Sequence, residues 1–288
     1  MQRDAVSRLQ RARIRSAESE VRLLLGACLG LSRSELILRH DQEIGPGDRK
    51  RFARMLRRRL AREPIDYIIG TREFWSLDFE VGPQVLIPRP ETEFLLETLV
   101  SGVPSAERQA RGTALDLCTG SGVIAVVLAR ELPRLKVVAV DSSPAALAVA
   151  RRNIERHGVA DRIDLVAADL FSALRTTAGK APFRFIVSNP PYVATAVLDT
   201  LQPEVRDYEP RQALDGGAHG LEIIFRIIAG AGEFLQPRGV LFMEIGADQR
   251  RQVLDRFGAG RERRMFEKVD VIADLAGRPR VLRAQKKP

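Results

Sequence analysis

The sequence predicts an α/β protein in which helices cover both faces of a mostly parallel β-sheet, preceded by a small helical domain. Three observations lead to this prediction. From residue 113 onward, short apolar strands alternate with helices, as is typical of a parallel sheet. Residues 1–62 carry their apolar side chains at helical spacing only. Near residue 65 the pattern changes to the aromatic and β-branched bias of short strands.

The length and composition indicate one large domain and a small one. The chain has 288 residues, 45% of them hydrophobic. No apolar run approaches the ~20 residues of a membrane-spanning helix. The Arg-rich segment 1–15 is not followed by the apolar stretch of a signal peptide. We therefore expect a cytoplasmic protein with no membrane partner.

Cysteine and histidine usage indicates neither a disulfide framework nor a metal site. Cys28 and Cys118 are the only cysteines, and they fall in different predicted domains. His40, His157 and His219 are scattered and show no ligand spacing. We expect no bound metal.

The positive charge is concentrated at the start of the chain. Of the net charge of +9, residues 1–70 carry +7, with 16 Arg and Lys against 9 Asp and Glu. A basic small domain next to a nearly neutral large one suggests a polyanionic partner, such as nucleic acid, an acidic protein surface or a ribosome-associated target. The alternative is that these charged side chains simply lie on solvent-exposed helix faces and bind no partner.

The first helices are predicted from apolar spacing and capping residues. Ser16 can cap a helix that Gly30 ends, because glycine readily adopts the left-handed conformation of a helix C-terminus. Ser32 and Glu35 have the spacing of a capping box for a short helix through about Arg39.

A strongly basic helix closes the small domain. Gly45-Pro46-Gly47 predicts a break, Asp48 then begins a helix that runs to Arg62, and Pro64 closes the segment. The polar face of this helix includes Arg57, Arg58 and Arg59. We expect these residues to help dock the partner.

The composition of residues 65–88 predicts a linker with secondary structure of its own. Aromatic and branched residues between Phe74 and Val81 favour a β-hairpin, and Gly82-Pro83 favours a turn. In the segment 87–93 that follows, Pro90 suits the first turn of a helix predicted over 91–100.

The remaining chain supplies the alternating elements of the large domain. Strands are predicted at 114–117, 137–140, 163–167, 183–187 and 240–245, with two more between 264 and 283. Helices are predicted at 123–131, 144–157, 221–235 and 248–257. The predicted domains are residues 1–64, a linker at 65–88, and residues 89–288.

A glycine-containing loop follows the first of these strands. Its residues are Cys118, Thr119, Gly120, Ser121 and Gly122. The glycines allow a tight turn and close approach of a ligand, and together with Ala125 they fit the loose dinucleotide pattern. Asp141 ends the next strand, where a carboxylate can bind both ribose hydroxyls. Asp169 and Leu170, after the third strand, could hold an adenine. Together these residues predict a nucleoside-binding site.

Asp116 favours a cationic ligand over a dinucleotide. It lies where the strand enters the loop. A pyrophosphate there would meet a like charge, whereas S-adenosylmethionine offers an ammonium and a sulfonium. The alternative is that Asp116 caps a backbone turn.

The sequence Ser188-Asn189-Pro190-Pro191-Tyr192 forms a stiff corner after the predicted strand at 183–187. Neither proline can donate to a strand ladder, and Pro190 favours an extended Asn189. Ligands bind at such carboxyl ends of strands in open α/β sheets. The alternative is a plain turn that uses Asn and Pro.

Taken together, these residues resemble the PrmC/HemK family of S-adenosylmethionine-dependent methyltransferases, which modify the glutamine of the Gly-Gly-Gln motif in peptide chain release factors. The resemblance is carried by Ile87-Pro88-Arg89-Pro90-Glu91-Thr92-Glu93, the loop from Asp116 to Gly122, Asp141, and Asn189 to Tyr192. It extends to Gly70–Phe74, Tyr208-Glu209-Pro210 and Glu244-Ile245-Gly246.

The resemblance implies a Rossmann-like class I methyltransferase domain with a seven-stranded sheet and an N-terminal helical domain. It also implies S-adenosylmethionine as cofactor, S-adenosylhomocysteine as product, and release factors as protein substrates. No stable nucleic-acid partner and a monomeric state are expected. Two residues depart from the family's pattern: Cys118 stands where glycine is frequent, and Leu170 where some members have an aromatic ring.

The resemblance also assigns roles in the site. Cofactor binding is implied for residues 118–122, Asp141, Leu170 and Asn189, in addition to Asp116 and Asp169. Asn189, Pro190, Pro191 and Tyr192 are implied to bind the substrate. Among these, the Asn189 side-chain oxygen and the Pro190 carbonyl would accept the substrate amide's N–H groups, and Tyr192 would pack on the amide face.

Three other functions are compatible with parts of the sequence. A nucleic-acid adenine-N6 methyltransferase would suit the basic helices and the Asn-Pro-Pro-Tyr corner, and would flip a base into the pocket. A non-catalytic RNA- or ribosome-binding protein would suit the charge, but not the intact Asp116, Asp141 and Asn189. An NAD-dependent oxidoreductase is disfavoured by the charge of Asp116.

Overall fold

A computed structural model describes residues 1–39, 43–174, 182–258 and 260–288. These residues form two compact units. The first unit comprises Met1–Thr71 and Gln202–Tyr208, and the second comprises Arg72–Leu201 and Glu209–Pro288. His40 lies outside the described residues.

The predicted helices and strands are present in the predicted order, together with short helices that the sequence did not predict. The helices are α1 (Gln2–Arg11), α2 (Ala17–Leu29), α3 (Arg33–Leu38), α4 (Pro46–Leu60), α5 (Ile65–Ile69), α6 (Pro90–Gly102), α7 (Val123–Glu131), α8 (Pro144–Arg156), α9 (Pro203–Arg206), α10 (Glu222–Phe234), α11 (Arg250–Phe257) and α12 (Gly260–Met265). The strands are β1 (Thr71–Phe74), β2 (Leu77–Glu80), β3 (Gly112–Leu117), β4 (Leu135–Asp141), β5 (Ile163–Ala167), β6 (Phe183–Ser188), β7 (Leu235–Glu244), β8 (Phe266–Ala273) and β9 (Pro279–Lys286).

The first unit is a helical bundle with its own apolar core. Leu9 of α1, Leu24 of α2 and Phe52 of α4 are buried against one another's helices, and Ile68 of α5 joins the same cluster. The predicted capping box is present, because the Ser32 hydroxyl accepts from the Glu35 N–H while the Glu35 carboxylate accepts from the Ser32 N–H.

A buried ion-pair network holds the 202–208 segment in this unit. The Arg59 side chain is only 6% exposed and donates to Glu20 at 2.6 Å and to Glu204 at 3.0 Å. Arg62 donates to the other oxygen of Glu204 at 2.7 Å. The Tyr208 hydroxyl donates to the Ala61 carbonyl oxygen at 2.6 Å. Arg59 is therefore a structural residue and not part of an exposed basic face.

Two details of the predicted small domain are wrong. Helix α4 begins at Pro46, two residues before Asp48, because Gly45 is its N-cap and proline fits the first helical position. Pro64 does not end the helical region, since it is the N-cap of α5. The first unit consequently extends to Thr71, and the hairpin formed by β1 and β2 is shorter than the predicted linker.

The second unit contains a seven-stranded sheet in the order β5-β4-β3-β6-β7-β9-β8. The first five strands are parallel, and β9 runs antiparallel to both β7 and β8. This confirms the predicted α/β class with a mostly parallel seven-stranded sheet. Helix α12 was not predicted, because its polar sequence lacks an apolar periodicity.

The strand register brings three loops to one edge of the sheet. Leu117 of β3 lies opposite Val140 of β4 and Ser188 of β6, so these strands end at the same level. The chain runs to β4 and β5 on one side of β3 and to β6 and β7 on the other. Ligands bind outside the carboxyl ends of strands at such a switch in strand order.

Apolar cores cover both faces of the sheet. Alternate side chains of a strand point to opposite faces, so Ala114 packs with α6, α7 and α8, whereas Leu115 packs with α10 and α11. Among the described residues, no helix has the length and apolar character that crossing a bilayer requires.

Candidate functional site

A cavity of about 610 Å³ opens at the carboxyl ends of β3, β4 and β6. The predicted site residues that line it are Cys118, Thr119, Gly120, Ser121, Asp141, Asp169, Leu170, Asn189 and Pro191. Four other predicted residues, Asp116, Gly122, Pro190 and Tyr192, do not line it. The structure therefore brings together residues from four separate loops.

The loop after β3 is shaped by left-handed backbone conformations. Cys118, Gly120 and Gly122 have φ values of +61°, +55° and +82°. A Cβ added to Gly120 would meet open space, whereas one added to Gly122 would lie 3.2 Å from the Ala150 Cβ. Gly120 thus leaves room on the cavity side, and Gly122 allows the close approach of α8.

Asp141 connects this loop to the end of β4. Its Oδ2 accepts from the Gly120 N–H at 2.9 Å, and its Oδ1 accepts from the Ser143 N–H at 2.9 Å. Burial raises the pKa of this carboxyl group, and the two backbone donors oppose that shift. A carboxylate oxygen has two lone-pair sites, so both oxygens retain acceptor capacity for a ligand at the cavity wall.

Asp116 lies beneath the loop. It is fully buried, and its Oδ2 accepts from the Thr119 hydroxyl at 2.6 Å and from the Ala125 N–H at 3.2 Å. Asp116 therefore caps the turn that follows β3. Its Oδ1 is buried without a hydrogen-bond partner among the described residues. Burial raises the pKa of Asp116 to about 7.

The surroundings of the Cys118 thiol disfavour its thiolate form. Burial, followed by the negative charge of Asp141, raises its pKa well above the ordinary value. The thiol therefore stays protonated at neutral pH. Cys118 adopts a left-handed backbone conformation, which glycine adopts more readily than other residues.

The loop after β5 presents Asp169 and Leu170 to the cavity. Asp169 accepts from Arg226 at 2.6 Å, in an exposed ion pair at the cavity margin. Leu170 is buried and has a φ of +49°. The next aromatic ring, Phe171, stacks on Phe234 at 4.9 Å between ring centroids and so belongs to the core.

The corner after β6 is tied to helix α6. The Asn189 Nδ2 donates to the Thr92 hydroxyl oxygen at 2.9 Å. The Tyr192 hydroxyl donates to Glu244, the last residue of β7, at 3.0 Å. The cavity lining does not include Tyr192, so the packing of its ring on a substrate amide stays a prediction.

A glycine-rich loop that the sequence analysis did not use packs against the corner. A Cβ at Gly216 would lie 2.8 Å from the Pro191 carbonyl oxygen, and one at Gly220 would lie 2.3 Å from the Tyr192 carbonyl oxygen. The Gln249 Nε2 donates to both the Tyr192 and Gly220 carbonyl oxygens at 2.9 Å. The sequence signal for this contact is the glycine cluster at 216, 217 and 220.

Two protein families match separate parts of the chain. Residues 1–70 match the PrmC N-terminal domain, and residues 90–203 match the methyltransferase small domain. These matches fall on the two units that the structure describes.

Several relatives are similar over most of the chain. A release factor glutamine methyltransferase of Moorella thermoacetica is 40% identical, covering 99% of this chain and 96% of that protein. One of Geobacter sulfurreducens is 46% identical over 85% of this chain and 82% of that protein.

Solved structures that are more distant in sequence share the fold. A methyltransferase from Pyrococcus furiosus is 21% identical with a TM-score of 0.52, covering 83% of this chain and 98% of that one. The N-terminal domain of human METTL16, in complex with SAH, is 16% identical with a TM-score of 0.51, covering 74% of this chain and 76% of that one.

Proposed function

The chain belongs to the release factor glutamine methyltransferase family, and on that premise we propose that it methylates the side-chain amide nitrogen of the glutamine in the Gly-Gly-Gln motif of peptide chain release factors. S-adenosylmethionine is the methyl donor, and S-adenosylhomocysteine is the product. The single observation that carries the proposal is that one cavity joins the glycine loop, Asp141 and the Asn189 corner.

The residues around the loop fit S-adenosylmethionine. The open space beside Gly120 accommodates a ligand against the backbone. The unpartnered Oδ1 of Asp116 is a buried acceptor whose charge suits an ammonium or sulfonium nearby. Asp141 is placed to accept from ribose hydroxyls, and Leu170 supplies an apolar surface for the adenine. S-adenosylmethionine would bring an electrophilic methyl group to this site.

The corner supplies what a carboxamide substrate needs. An amide nitrogen is a weak nucleophile because its lone pair is delocalised into the carbonyl group. We assign the Asn189 Oδ1 and the Pro190 carbonyl oxygen as acceptors of the two substrate N–H groups. Two acceptors that converge on one nitrogen favour the positive charge that develops there during alkylation. Pro190 and Pro191 keep this geometry rigid.

No strong general base is needed for this reaction. Once alkylated, the nitrogen is acidic and loses its proton to water. Among the described residues that line the cavity, none is a histidine or a lysine. Tyr192 acts in this scheme by supporting the corner from behind, through its hydroxyl bond to Glu244.

We propose that the first unit docks the release factor through helix α4. Arg51, Arg54 and Arg57 are exposed on this helix, one turn apart from each other. A cavity of about 310 Å³, lined by Arg51, Arg54 and Arg58 together with Met55, Ile68 and Ile69, lies beside them. A basic rim around apolar side chains suits an acidic protein surface with one apolar anchor.

Methyl transfer to a purified release factor tests the proposal. Labelled S-adenosylmethionine is incubated with a release factor, with the same factor carrying Asn in place of the motif glutamine, and with RNA and DNA containing unpaired adenines. We expect label only in the unchanged factor. Label in the nucleic acid would instead identify an adenine-N6 methyltransferase, and label in neither would exclude both activities.

A further inference from the structure

A chain of four hydrogen-bonded side chains runs from the catalytic corner into the core of the second unit. The Asn189 Nδ2 lies 2.9 Å from the Thr92 Oγ1, the Thr92 Oγ1 lies 2.8 Å from the Glu244 Oε2, and the Tyr192 hydroxyl lies 3.0 Å from the Glu244 Oε1. Thr92 is 2% exposed and Glu244 is fully buried. Water therefore does not compete for the hydrogen bond between Thr92 and Glu244.

The charge of Glu244 determines the direction of this chain. An ionised carboxylate only accepts hydrogen bonds, so Thr92 must give its one hydroxyl hydrogen to Glu244. The Thr92 oxygen is then left to accept, and of the two polar atoms on the Asn189 amide only the nitrogen can donate. The amide nitrogen must face Thr92, which leaves the Asn189 Oδ1 as the atom available to the cavity.

Protonation of Glu244 removes that constraint. A neutral carboxyl group can donate to the Thr92 oxygen, and Thr92 can then donate to Asn189. The Asn189 oxygen would turn towards Thr92, and its NH2 group would face the cavity. An NH2 group there would bind the carbonyl oxygen of a substrate amide and turn the reacting nitrogen away.

The surroundings of Glu244 make it sensitive to pH. Burial raises its pKa, and the hydrogen bonds from Thr92 and Tyr192 oppose that rise. Of the charged groups nearby, Arg280 on β9 favours the ionised form and Glu91 on α6 disfavours it. Burial and the neighbouring Glu244 raise the pKa of the Tyr192 hydroxyl above its ordinary value. This hydroxyl therefore stays protonated and donates to Glu244 over the whole range in which Glu244 titrates.

We propose that Thr92 and the ionised Glu244 are positioning residues that hold the Asn189 amide with its oxygen towards the substrate. This inference rests on the proposed function, in which that oxygen accepts a substrate N–H. It gives a physical role to Thr92 in the Pro-Arg-Pro-Glu-Thr-Glu segment and to Glu244 in the Glu-Ile-Gly sequence at the end of β7. Thr92 and Glu244 are 152 positions apart in the sequence.

The test compares Thr92→Val, Thr92→Ser and Glu244→Gln with the unchanged protein, at saturating cofactor. Valine has the shape of threonine but cannot take part in the chain, and serine retains the hydroxyl group. We expect Thr92→Val to lower kcat by about 10- to 100-fold with unchanged cofactor affinity in calorimetry, because a small misplacement of a positioning group costs this much. Thr92→Ser should stay within about threefold of the unchanged rate.

The pH profile separates positioning from a purely structural role. The unchanged protein should lose kcat on the acid side as Glu244 takes up a proton, and Glu244→Gln should lose that dependence along with part of its rate. An acid limb that survives in Glu244→Gln, or a Thr92→Val protein with the unchanged kcat, would overturn the inference. Failure of the unchanged protein to methylate the release factor would overturn the proposed function instead.

If Thr92→Val does not bind the cofactor, its fold is disturbed, and the comparison between Thr92→Ser and Glu244→Gln decides the question. Serine should preserve both the rate and the acid limb, whereas glutamine should preserve neither. Equal behaviour of the two variants would contradict the positioning role.

Discussion

Arg89 Nη2 lies 2.5 Å from Glu209 Oε1 and joins two sequence motifs that are 120 residues apart. The other oxygen of Glu209 accepts from the Ile87 N–H at 3.3 Å. The Glu209 side chain is 1% exposed. The pair therefore fixes the start of the Pro-Arg-Pro-Glu-Thr-Glu segment against the Tyr-Glu-Pro segment, and Pro210 of the latter lines the cavity.

Breaking this pair should destabilise the protein. Arg89→Met removes one cationic partner of the buried Glu209 carboxylate. We expect a loss of about 2 kcal/mol in the free energy of unfolding, below the usual cost of breaking a buried pair because Arg89 is 30% exposed. Urea denaturation measures this loss. Arg251→Met is the matched control, since the Arg251 side chain is 92% exposed and should change stability by less than about 0.5 kcal/mol. Equal stability of the two variants would contradict the role of the pair.

Removing the Asn189 side chain should separate binding from chemistry. Asn189→Ala should bind S-adenosylmethionine with nearly unchanged affinity and transfer the methyl group slower by about 100-fold or more, since an acceptor for the substrate N–H groups is lost. Calorimetry and single-turnover methylation of a release factor give the two numbers. A parallel loss of affinity and rate would mean that Asn189 mainly holds the cofactor.

Asp141 should account for part of the cofactor affinity. We expect Asp141→Ala to weaken S-adenosylmethionine binding by about 1–3 kcal/mol, the scale of lost charge-assisted hydrogen bonds. The Gly120 N–H would also lose its acceptor, so the loop itself would loosen. Asp164→Ala, on the exposed face of β5, is the control for charge alone. Unchanged affinity in calorimetry would show that the ribose is held elsewhere.

The fold class was predictable because the signals are local. Strand β5 and helix α7 have the predicted bounds, since β5 is a short, mostly apolar segment and residues 123–129 of α7 form a continuous, buried apolar run. The sequence did not predict that residues 202–208 pack in the first unit. It depends on Arg59 and Glu204, which are 145 residues apart and carry no joint local pattern.

The sequence predicted which loops form the candidate site, but not which of their side chains line the cavity. Asn189 and Asp141 end strands and therefore reach the cavity edge as expected. Asp116 and Tyr192 do not line the cavity, and each makes a hydrogen bond to another side chain, Thr119 and Glu244 respectively. Such partners lie across the sheet or around a turn, and the sequence spacing does not reveal which side a side chain faces.

Cofactor binding should release a proton from Asp116. Its pKa of about 7 means that the folded apo protein holds this proton where an unfolded aspartate has lost it. Stability without the cofactor should therefore fall as the pH rises from about 4 to 7, through the interval between the unfolded and folded pKa values. A bound ammonium or sulfonium favours the ionised form and displaces the proton.

Calorimetry in two buffers with different ionisation enthalpies measures that proton. At about pH 6 we expect release approaching one proton per cofactor bound, and almost none at about pH 8.5, where Asp116 is already ionised. Asp116→Asn should abolish the release at about pH 6. Binding that is independent of the buffer at about pH 6 would show that Asp116 does not meet the positive charge of the ligand.

The docking surface should involve the exposed arginines of α4. The reversal of Arg57, Arg58 and Arg59 that the sequence suggests is a poor test, because Arg59 is buried between Glu20 and Glu204 and Arg58 pairs with Glu63 at 2.5 Å. Reversing Arg51, Arg54 and Arg57 to Glu leaves those pairs intact. We expect the KM for a full-length release factor to rise about tenfold or more, because each reversed charge costs up to about 1 kcal/mol of attraction.

A short Gly-Gly-Gln peptide separates docking from catalysis in the same variant. The peptide lacks the remainder of the release factor that α4 is proposed to bind, so its kcat/KM should not change when Arg51, Arg54 and Arg57 are reversed. The increase in KM for the full-length factor should shrink at high salt, since exposed charges are screened within about 10 Å at 0.1 M ionic strength. Equal losses for factor and peptide would place the defect in folding, and no loss for either would exclude this face of α4 as the docking surface.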